Sequence, residues 1–311
     1  MNQNFGVFGY PVSHSLSPAM HTAAFEDLGM ENYTYKAYSV LPEDLKKCVT
    51  EAQKRGFRGL NLTIPHKEKI LELDFIKADV FAKKAGAVNT LLFDGDEIYG
   101  FNTDADGALM ALNYAGCETD GKRILIIGAG GASKSISLRF AERGNSVKII
   151  NRTAERAEKM AAEIADKTGN STVFGSGFED AWKDLENADI VIQTTELGMG
   201  KYENVSLFNS LTNTQQSDEN GMTKERRIRK CFAGKTVFDI VYNPEETKFL
   251  KEAREAGAKT LNGVMMLVFQ GAIAFEIWTG KKPDPDVMKA AVLNGLNAGN
   301  KRLNLNQNQD L

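Results

Sequence analysis

Short apolar runs alternate with amphipathic stretches through the first hundred residues, the patterning of an α/β fold. Residues 5–9 predict a short strand ending in a Gly-Tyr-Pro turn. Ser17 followed by Pro18 predicts an N-cap with proline at the first helical position, opening a helix to about residue 28. Residues 33–40 alternate as a strand does, 42–55 are amphipathic and helical, and 59–64 form the next strand, stopped by Pro65. Residues 87–93 and 98–101 predict a hairpin across Asp94-Gly95-Asp96.

The pattern changes near Asp104. Residues 105–115 predict a helix, and 123–127 are a continuous apolar strand, as in a parallel sheet covered on both faces. A glycine turn, a helix over 133–143 and an apolar strand over 147–150 follow, and the alternation repeats through 190–192 and 237–241. That is a doubly wound sheet of the dinucleotide-binding, Rossmann type. A helix over 264–278 returns to the first domain. The predicted architecture is therefore an N-terminal α/β domain (1–104 plus 264–298) and a Rossmann-type domain (105–263), with a cleft between them. Residues 209–230 are polar and charged with little apolar periodicity and predict a surface insertion; the Asn- and Gln-rich residues 299–311 predict a flexible tail.

Composition narrows the partners. The 42% apolar and 25% charged shares of the 311 residues are those of a soluble globular protein, and a net charge of -3 argues against nucleic acid or an anionic membrane surface. Cys48, Cys117 and Cys231 form neither a disulfide framework nor a zinc spacing, which predicts a reducing, cytoplasmic compartment. The start Met1-Asn2-Gln3-Asn4 lacks the basic opening of a signal peptide, and the apolar stretch 264–278 carries Gln270 and Glu276 and is too short to span a bilayer. His14, His21 and His66 share no ligand spacing, so no metal is expected. A small-molecule substrate is the expected partner, and a homodimer is a possible assembly.

Gly128-Ala129-Gly130-Gly131-Ala132-Ser133 lies between a predicted strand and a predicted helix. Glycine at 128 and 130 permits the tight turn and close approach of backbone to a pyrophosphate at a helix N-terminus. Ser133 stands where the fingerprint usually has Gly or Ala. The next strand ends in Asn151-Arg152-Thr153, with no acid to accept from a ribose 2′-hydroxyl. A guanidinium there binds a 2′-phosphate and stacks on adenine, so the cofactor is predicted to be NADP.

Four polar patterns remain: Ser13-His14-Ser15-Leu16-Ser17, Asn61 to Lys67, Asn89-Thr90, and Asn102-Thr103-Asp104. Alternation places Asn61 and Thr63 on one strand face and Leu60, Leu62 and Ile64 on the other. Together these patterns offer uncharged donors and acceptors with one ammonium, Lys67, and one carboxylate, Asp104, which suits a small polyhydroxylated substrate. Gln270, an amide inside an apolar helix, needs a partner.

The motifs Ser-x-Ser-Pro at 15–18, Asn-x-Thr-x-Pro-x-Lys at 61–67, Gly-Ala-Val-Asn-Thr at 86–90 and Asn-Thr-Asp at 102–104 resemble those of the shikimate dehydrogenase family. So do the glycine turn, Asn-Arg-Thr, residues 239–244 and residues 266–270, and the resemblance runs over essentially the whole chain. It implies a substrate-binding first domain and NADP-dependent, reversible reduction of 3-dehydroshikimate to shikimate, on the route to chorismate and the aromatic amino acids. Lys67 and Asp104 would be the catalytic pair. Ser15 and Ser17, aided by Tyr242, would hold the carboxylate; Asn61, Thr63, Asn89 and Gln270 would hold ring hydroxyls. Thr195, Ile240 and Gly263 would lie at the nicotinamide end. Residues 193–199, Gln-Thr-Thr-Glu-Leu-Gly-Met, depart from the family's usual Asn-Ala-Thr-Ser-x-Gly-Met. Two rivals share the fold: a quinate/shikimate dehydrogenase using NAD, against which Asn151-Arg152-Thr153 speaks, and a non-catalytic NADP-binding regulatory relative, which would be expected to lack Lys67 or Asp104.

Overall fold

The computed structural model describes residues 3–211 and 223–307. The chain divides into two compact units, Met1–Gly107 with Leu267–Leu311, and Ala108–Met266.

The first unit is built on a six-stranded sheet of β1 (Gln3–Gly9), β2 (Tyr33–Ser39), β3 (Phe57–Leu62), β4 (Ile76–Ala78), β5 (Thr90–Asp94) and β6 (Glu97–Phe101), in the order β2-β1-β3-β5-β6-β4. β1 runs parallel to β2 and β3, β5 is antiparallel to β3 and β6, and β4 is parallel to β6. The period of two assigns the faces. Phe8, Leu60 and Leu62 join Leu45 and Val49 of the Leu45–Lys54 helix in one core layer. On the other face Phe5 meets Phe25 and Trp278 at 5.3 Å between ring centroids. Burying such a ring is worth roughly 2–3 kcal/mol. Because β6 is parallel to β3, the segments after β1, β3 and β6 and the segment before β5 all emerge at one edge of the sheet.

The second unit holds β7 (Arg123–Ile127), β8 (Ser146–Ile150), β9 (Val173–Ser176), β10 (Ile190–Gln193), β11 (Thr236–Asp239) and β12 (Lys259–Leu261) in the order β12-β11-β10-β7-β8-β9, all parallel. This is the dinucleotide-binding order, with its reversal between β7 and β10. Leu125, Ile127 and Val191 pack on one side against Phe208, Phe232 and Phe249.

Several expectations change. Ser17 is the first residue of the Ser17–Asp27 helix and not its cap; Leu16 holds that place, and the Ser15 hydroxyl accepts the Ser17 N–H at 3.3 Å. Ile64 is 70% exposed, because β3 ends at Leu62 and the chain turns at Thr63, whose carbonyl accepts the His66 N–H. The ends of the predicted 209–230 insertion belong to the helices Leu207–Leu211 and Lys224–Phe232. Ile228, Cys231 and Phe232 there are buried at i, i+3, i+4 spacing, a stripe masked in the composition by its flanking charges. Residues 212–222 lie outside the described residues. The Pro285–Gln307 helix runs on through 299–307, where composition predicted a tail; Met288, Val292 and Leu296 anchor its earlier turns at i, i+4 spacing. Among the described residues, no helix is long and apolar enough to cross a membrane, and no group of three or more His, Cys, Asp or Glu could hold a metal ion.

Candidate active site

The sheet edge of the first unit gathers the polar segments. Lys67 follows β3 and Asp104 follows β6, and Lys67 Nζ donates to Asp104 Oδ2 at 2.6 Å. The lysine side chain is 28% exposed and the carboxylate 9%, so the ammonium faces outward from a nearly buried partner. Asn89, immediately before β5, fixes that carboxylate. Its Nδ2 donates to Asp104 Oδ1 and to Thr103 Oγ1, both at 2.9 Å, and lies 3.4 Å from Gln270 Oε1. Its Oδ1 accepts the Thr103 N–H at 2.8 Å. The Gln270 amide nitrogen donates to the Leu267 carbonyl at 2.8 Å, which satisfies the helix-interior amide from both ends.

Asn61 lies deeper, on the aromatic face of β3. Its Nδ2 donates to the Asn89 carbonyl at 3.2 Å and to Thr90 Oγ1 at 3.1 Å, while its Oδ1 accepts from the Tyr35 hydroxyl at 2.7 Å. Ser17 is buried, Ser15 and Thr63 are half-buried, and His66 is buried with Nε2 2.9 Å from the Val40 carbonyl. Asn61, Lys67, Asn89, Asp104 and Gln270 thus form one hydrogen-bonded set with Thr90 and Thr103. Ser15, Ser17 and Thr63 stand on the same edge, at the turns after β1 and β3.

In the second unit the glycine turn leaves β7 at the reversal of strand order. Gly128 has φ +114°, and a Cβ there would stand 2.7 Å from Thr194 Oγ1, so only glycine fits. A Cβ on Gly130 would meet nothing within 4 Å, so the first turn of the Gly131–Glu142 helix lies open where a pyrophosphate would approach. Ser133 faces inward instead. Its hydroxyl donates to the Gly128 carbonyl at 2.6 Å, so the departure from the fingerprint braces the turn. Gly131 and Ala132 open the helix itself, and Ala129 is buried beside them. Asn151, Arg152 and Thr153 follow β8; Asn151 Nδ2 donates to the Thr153 carbonyl at 3.0 Å, and Arg152 is exposed.

Gln193 and Asp239 end the neighbouring strands β10 and β11, and both are fully buried. Asp239 Oδ1 accepts from Gln193 Nε2 at 3.2 Å and the Val241 N–H at 3.0 Å, and Oδ2 accepts from Thr247 Oγ1 at 2.7 Å. Burial pushes its carboxyl up to about 6, against the pull of these three donors. Gln193 also accepts the Thr195 N–H and donates to the Leu197 carbonyl, so the loop carrying Thr195 hangs from this pair. Ile240 follows directly, and a Cβ on Gly263 would stand 2.0 Å from its carbonyl oxygen, which leaves room for nothing but glycine. Tyr242 is partly buried, and burial raises its hydroxyl above the ordinary range.

Sequence reasoning missed Tyr35 and Arg156, and it named Thr103 only within the Asn102-Thr103-Asp104 motif, without a role of its own. Tyr35 read as an alternating strand residue, and only the β1–β2 and β1–β3 registers place it near Asn61. Arg156, one turn after Arg152, reaches to 3.4 Å from the Ala129 carbonyl of the glycine turn. A second arginine at i+4 from the first was the available signal.

Models of three families match the chain: Shikimate dehydrogenase substrate binding domain over residues 7–91, Shikimate / quinate 5-dehydrogenase over 110–210, and Shikimate 5'-dehydrogenase C-terminal domain over 263–293. A Shikimate dehydrogenase (NADP(+)) of Methanosarcina mazei is 47% identical over 96% of this chain and 100% of its own length. A crystal structure of shikimate dehydrogenase in complex with NADP+ superposes with a TM-score of 0.80 at 41% identity, covering 95% of this chain and 96% of that one. Another, the Thermus thermophilus shikimate 5-dehydrogenase with NADP(H) and shikimate, gives 0.79 at 35% identity, covering 94% and 100%. The chain belongs to the shikimate dehydrogenase family.

Proposed function

We propose that the chain is an NADP-dependent shikimate dehydrogenase, interconverting shikimate and 3-dehydroshikimate. The observation that carries this reading is the Lys67–Asp104 pair, 2.6 Å apart and fixed by Asn89 at the polar sheet edge. Bound at the glycine turn and Arg152, oxidised NADP would supply the acceptor for the C3 hydride of shikimate, and reduced NADP the hydride for 3-dehydroshikimate. Lys67 handles the proton. In reduction its ammonium donates to the carbonyl oxygen as the C3 alcohol forms, and in oxidation the neutral amine accepts the hydroxyl proton as the carbonyl forms. Asp104 holds the lysine Nζ at the reacting oxygen, and Asn89 keeps the carboxylate from turning away. Ser15 and Ser17 take the substrate carboxylate, and Asn61, Thr63, Asn89 and Gln270 take ring hydroxyls.

The second unit fits NADP. Gly130 to Ala132 leave backbone N–H groups open at a helix start, and the end of β8 offers Arg152, with Arg156 one turn on, where an NAD site would place an acid. Neighbouring Ile240, Gly263 and the Thr195 loop receive the nicotinamide end. The unpaired cysteines, two of them buried, support a reducing, cytoplasmic location.

The test is an absorbance assay of reduced nicotinamide with shikimate or quinate and NADP or NAD. Turnover with shikimate and NADP is expected, and Arg152→Ala should raise the KM for NADP about tenfold or more with little effect on NAD. A preference for quinate and NAD would reassign the chain to the sister activity. No turnover from folded protein that binds NADP would make it a regulatory relative.

A further inference from the structure

Tyr35 stands outside every role assigned so far, yet it donates the shortest hydrogen bond to Asn61, at 2.7 Å. The registers show how it gets there. Phe5 of β1 pairs with Tyr35 of β2, and Val7 of β1 pairs with Asn61 of β3, so the phenol crosses the intervening strand on the aromatic face. His21 stacks on its ring at 4.4 Å and 13°, and Trp278 tilts against it at 6.2 Å. The ring is 5% exposed, so its position is set by packing.

The polarity of the Asn61 amide is forced by its neighbours. The Asn89 backbone carbonyl can only accept, so Nδ2 must face it, and Oδ1 must then face Tyr35. The phenol therefore donates. Burial holds its pKa well above that of a free phenol, so the donor proton stays in place at any working pH. Ser17, in the turn region after β1, also approaches the phenol, which links the two ends of the candidate substrate site.

We infer that Tyr35 is a positioning residue for substrate recognition: its hydroxyl fixes the Asn61 side chain, and with it the acceptor face that Asn61 offers to a ring hydroxyl. The inference rests on the reading of the chain as a shikimate dehydrogenase. Without the phenol, Asn61 Oδ1 loses a buried partner, so the amide, still held through Nδ2 by the Asn89 carbonyl and Thr90, is fixed at one end only, while Lys67, Asp104 and the cofactor residues keep their partners. A lost buried hydrogen bond between neutral groups corresponds to roughly a tenfold change in an equilibrium constant.

The experiment is a double-mutant cycle of Tyr35→Phe and Asn61→Ala, read as KM for shikimate, KM for NADP and kcat, with a thermal melt of each variant. Tyr35→Phe should raise the KM for shikimate about tenfold and leave kcat and the KM for NADP within about threefold. In the Asn61→Ala background the same change should alter the KM for shikimate less than about twofold, because the group it positions is gone. An active wild type whose KM for shikimate is unmoved by Tyr35→Phe in folded protein would overturn the inference and leave the proposed function standing. So would a tenfold effect that persists without Asn61, which would mean that Tyr35 acts by another route. A wild type inactive on shikimate would overturn the proposed function, and the inference with it.

Discussion

His21 gives the first unit a specific weakness to acid. Its ring is fully buried, stacked on Tyr35 at 4.4 Å and close to Trp278 at 5.3 Å, and among the described residues neither nitrogen has a partner in hydrogen-bonding geometry. Desolvation, the larger effect, lowers its pKa from 6.5 to about 3, and the neighbouring Asn61 side chain acts in the other direction. Between those two values the unfolded chain binds a proton at this position and the folded chain does not. The contribution of His21 is therefore fully present above about pH 6.5 and is lost as the pH falls, at about 1.4 kcal/mol per pH unit. By pH 4.5 the loss reaches about 3 kcal/mol, and near pH 3 about 4 kcal/mol. Replacing the ring by one that cannot titrate, His21→Phe, should remove this slope. The larger ring shifts the absolute stability through packing, but a packing cost does not depend on pH. The assay is urea unfolding from pH 7.5 to 4.5, followed by Trp278 fluorescence in a Trp182→Phe background, since the chain has two tryptophans. The quantity to plot is the stability of His21→Phe minus that of the wild type, which cancels every other titrating group. It should rise by about 3 kcal/mol toward pH 4.5. A difference flat to within about 0.5 kcal/mol would refute the reasoning, because it would mean that folded His21 takes up its proton as readily as the unfolded chain.

Lys67→Ala should lower kcat about a hundredfold or more, with a smaller change in the KM for shikimate, in the same absorbance assay. Asp239 predicts the opposite pH sign in the second unit. Its pKa is raised to about 6, so the folded state binds the proton more tightly and stability from this group rises by up to about 3 kcal/mol as the pH falls from 7 toward 4. The wild type minus Asp239→Asn, measured by urea unfolding across that range, should show this rise, and a fall would contradict it. Gly128→Ala should raise the KM for NADP about tenfold or more while shikimate binding, measured by calorimetry without cofactor, stays unchanged, because a Cβ there meets Thr194 and Thr195 at φ +114°.

Elements whose signal is local were legible in the sequence. Continuous apolar runs marked β7, β8 and β10, and the glycine turn, the Asn151-Arg152-Thr153 end of β8 and the Lys67 and Asp104 motifs could each be read within a few residues. What stayed hidden depends on pairing across distance. Tyr35 and Asn61 are 26 positions apart and meet only because β1 separates their strands, a fact of sheet order that no window of sequence contains. The helix Lys224–Phe232 was hidden differently: three buried residues share it with Lys, Arg and Glu at six positions, so the averaged composition looked like a solvated loop.

Gln193 shows both limits at once. From the sequence it stood out as a departure from the family's usual asparagine, and the departure fell on a loop expected to receive the nicotinamide. In the structure the glutamine is fully buried, and its amide spans from the Thr195 N–H and the Leu197 carbonyl to Asp239 at the end of the adjacent strand. The extra methylene supplies reach across a strand spacing of about 4.8 Å. A buried carboxylate raised to about 6 is held mainly ionised near pH 7 by its donors, and removing one of three leaves the charge less compensated. The departure is therefore coupled to a second residue, 46 positions on, that the family motif already contained. A substitution that reads as a loss within its own segment is compensated within the network it enters, and only the pairing of β10 with β11 reveals the partner.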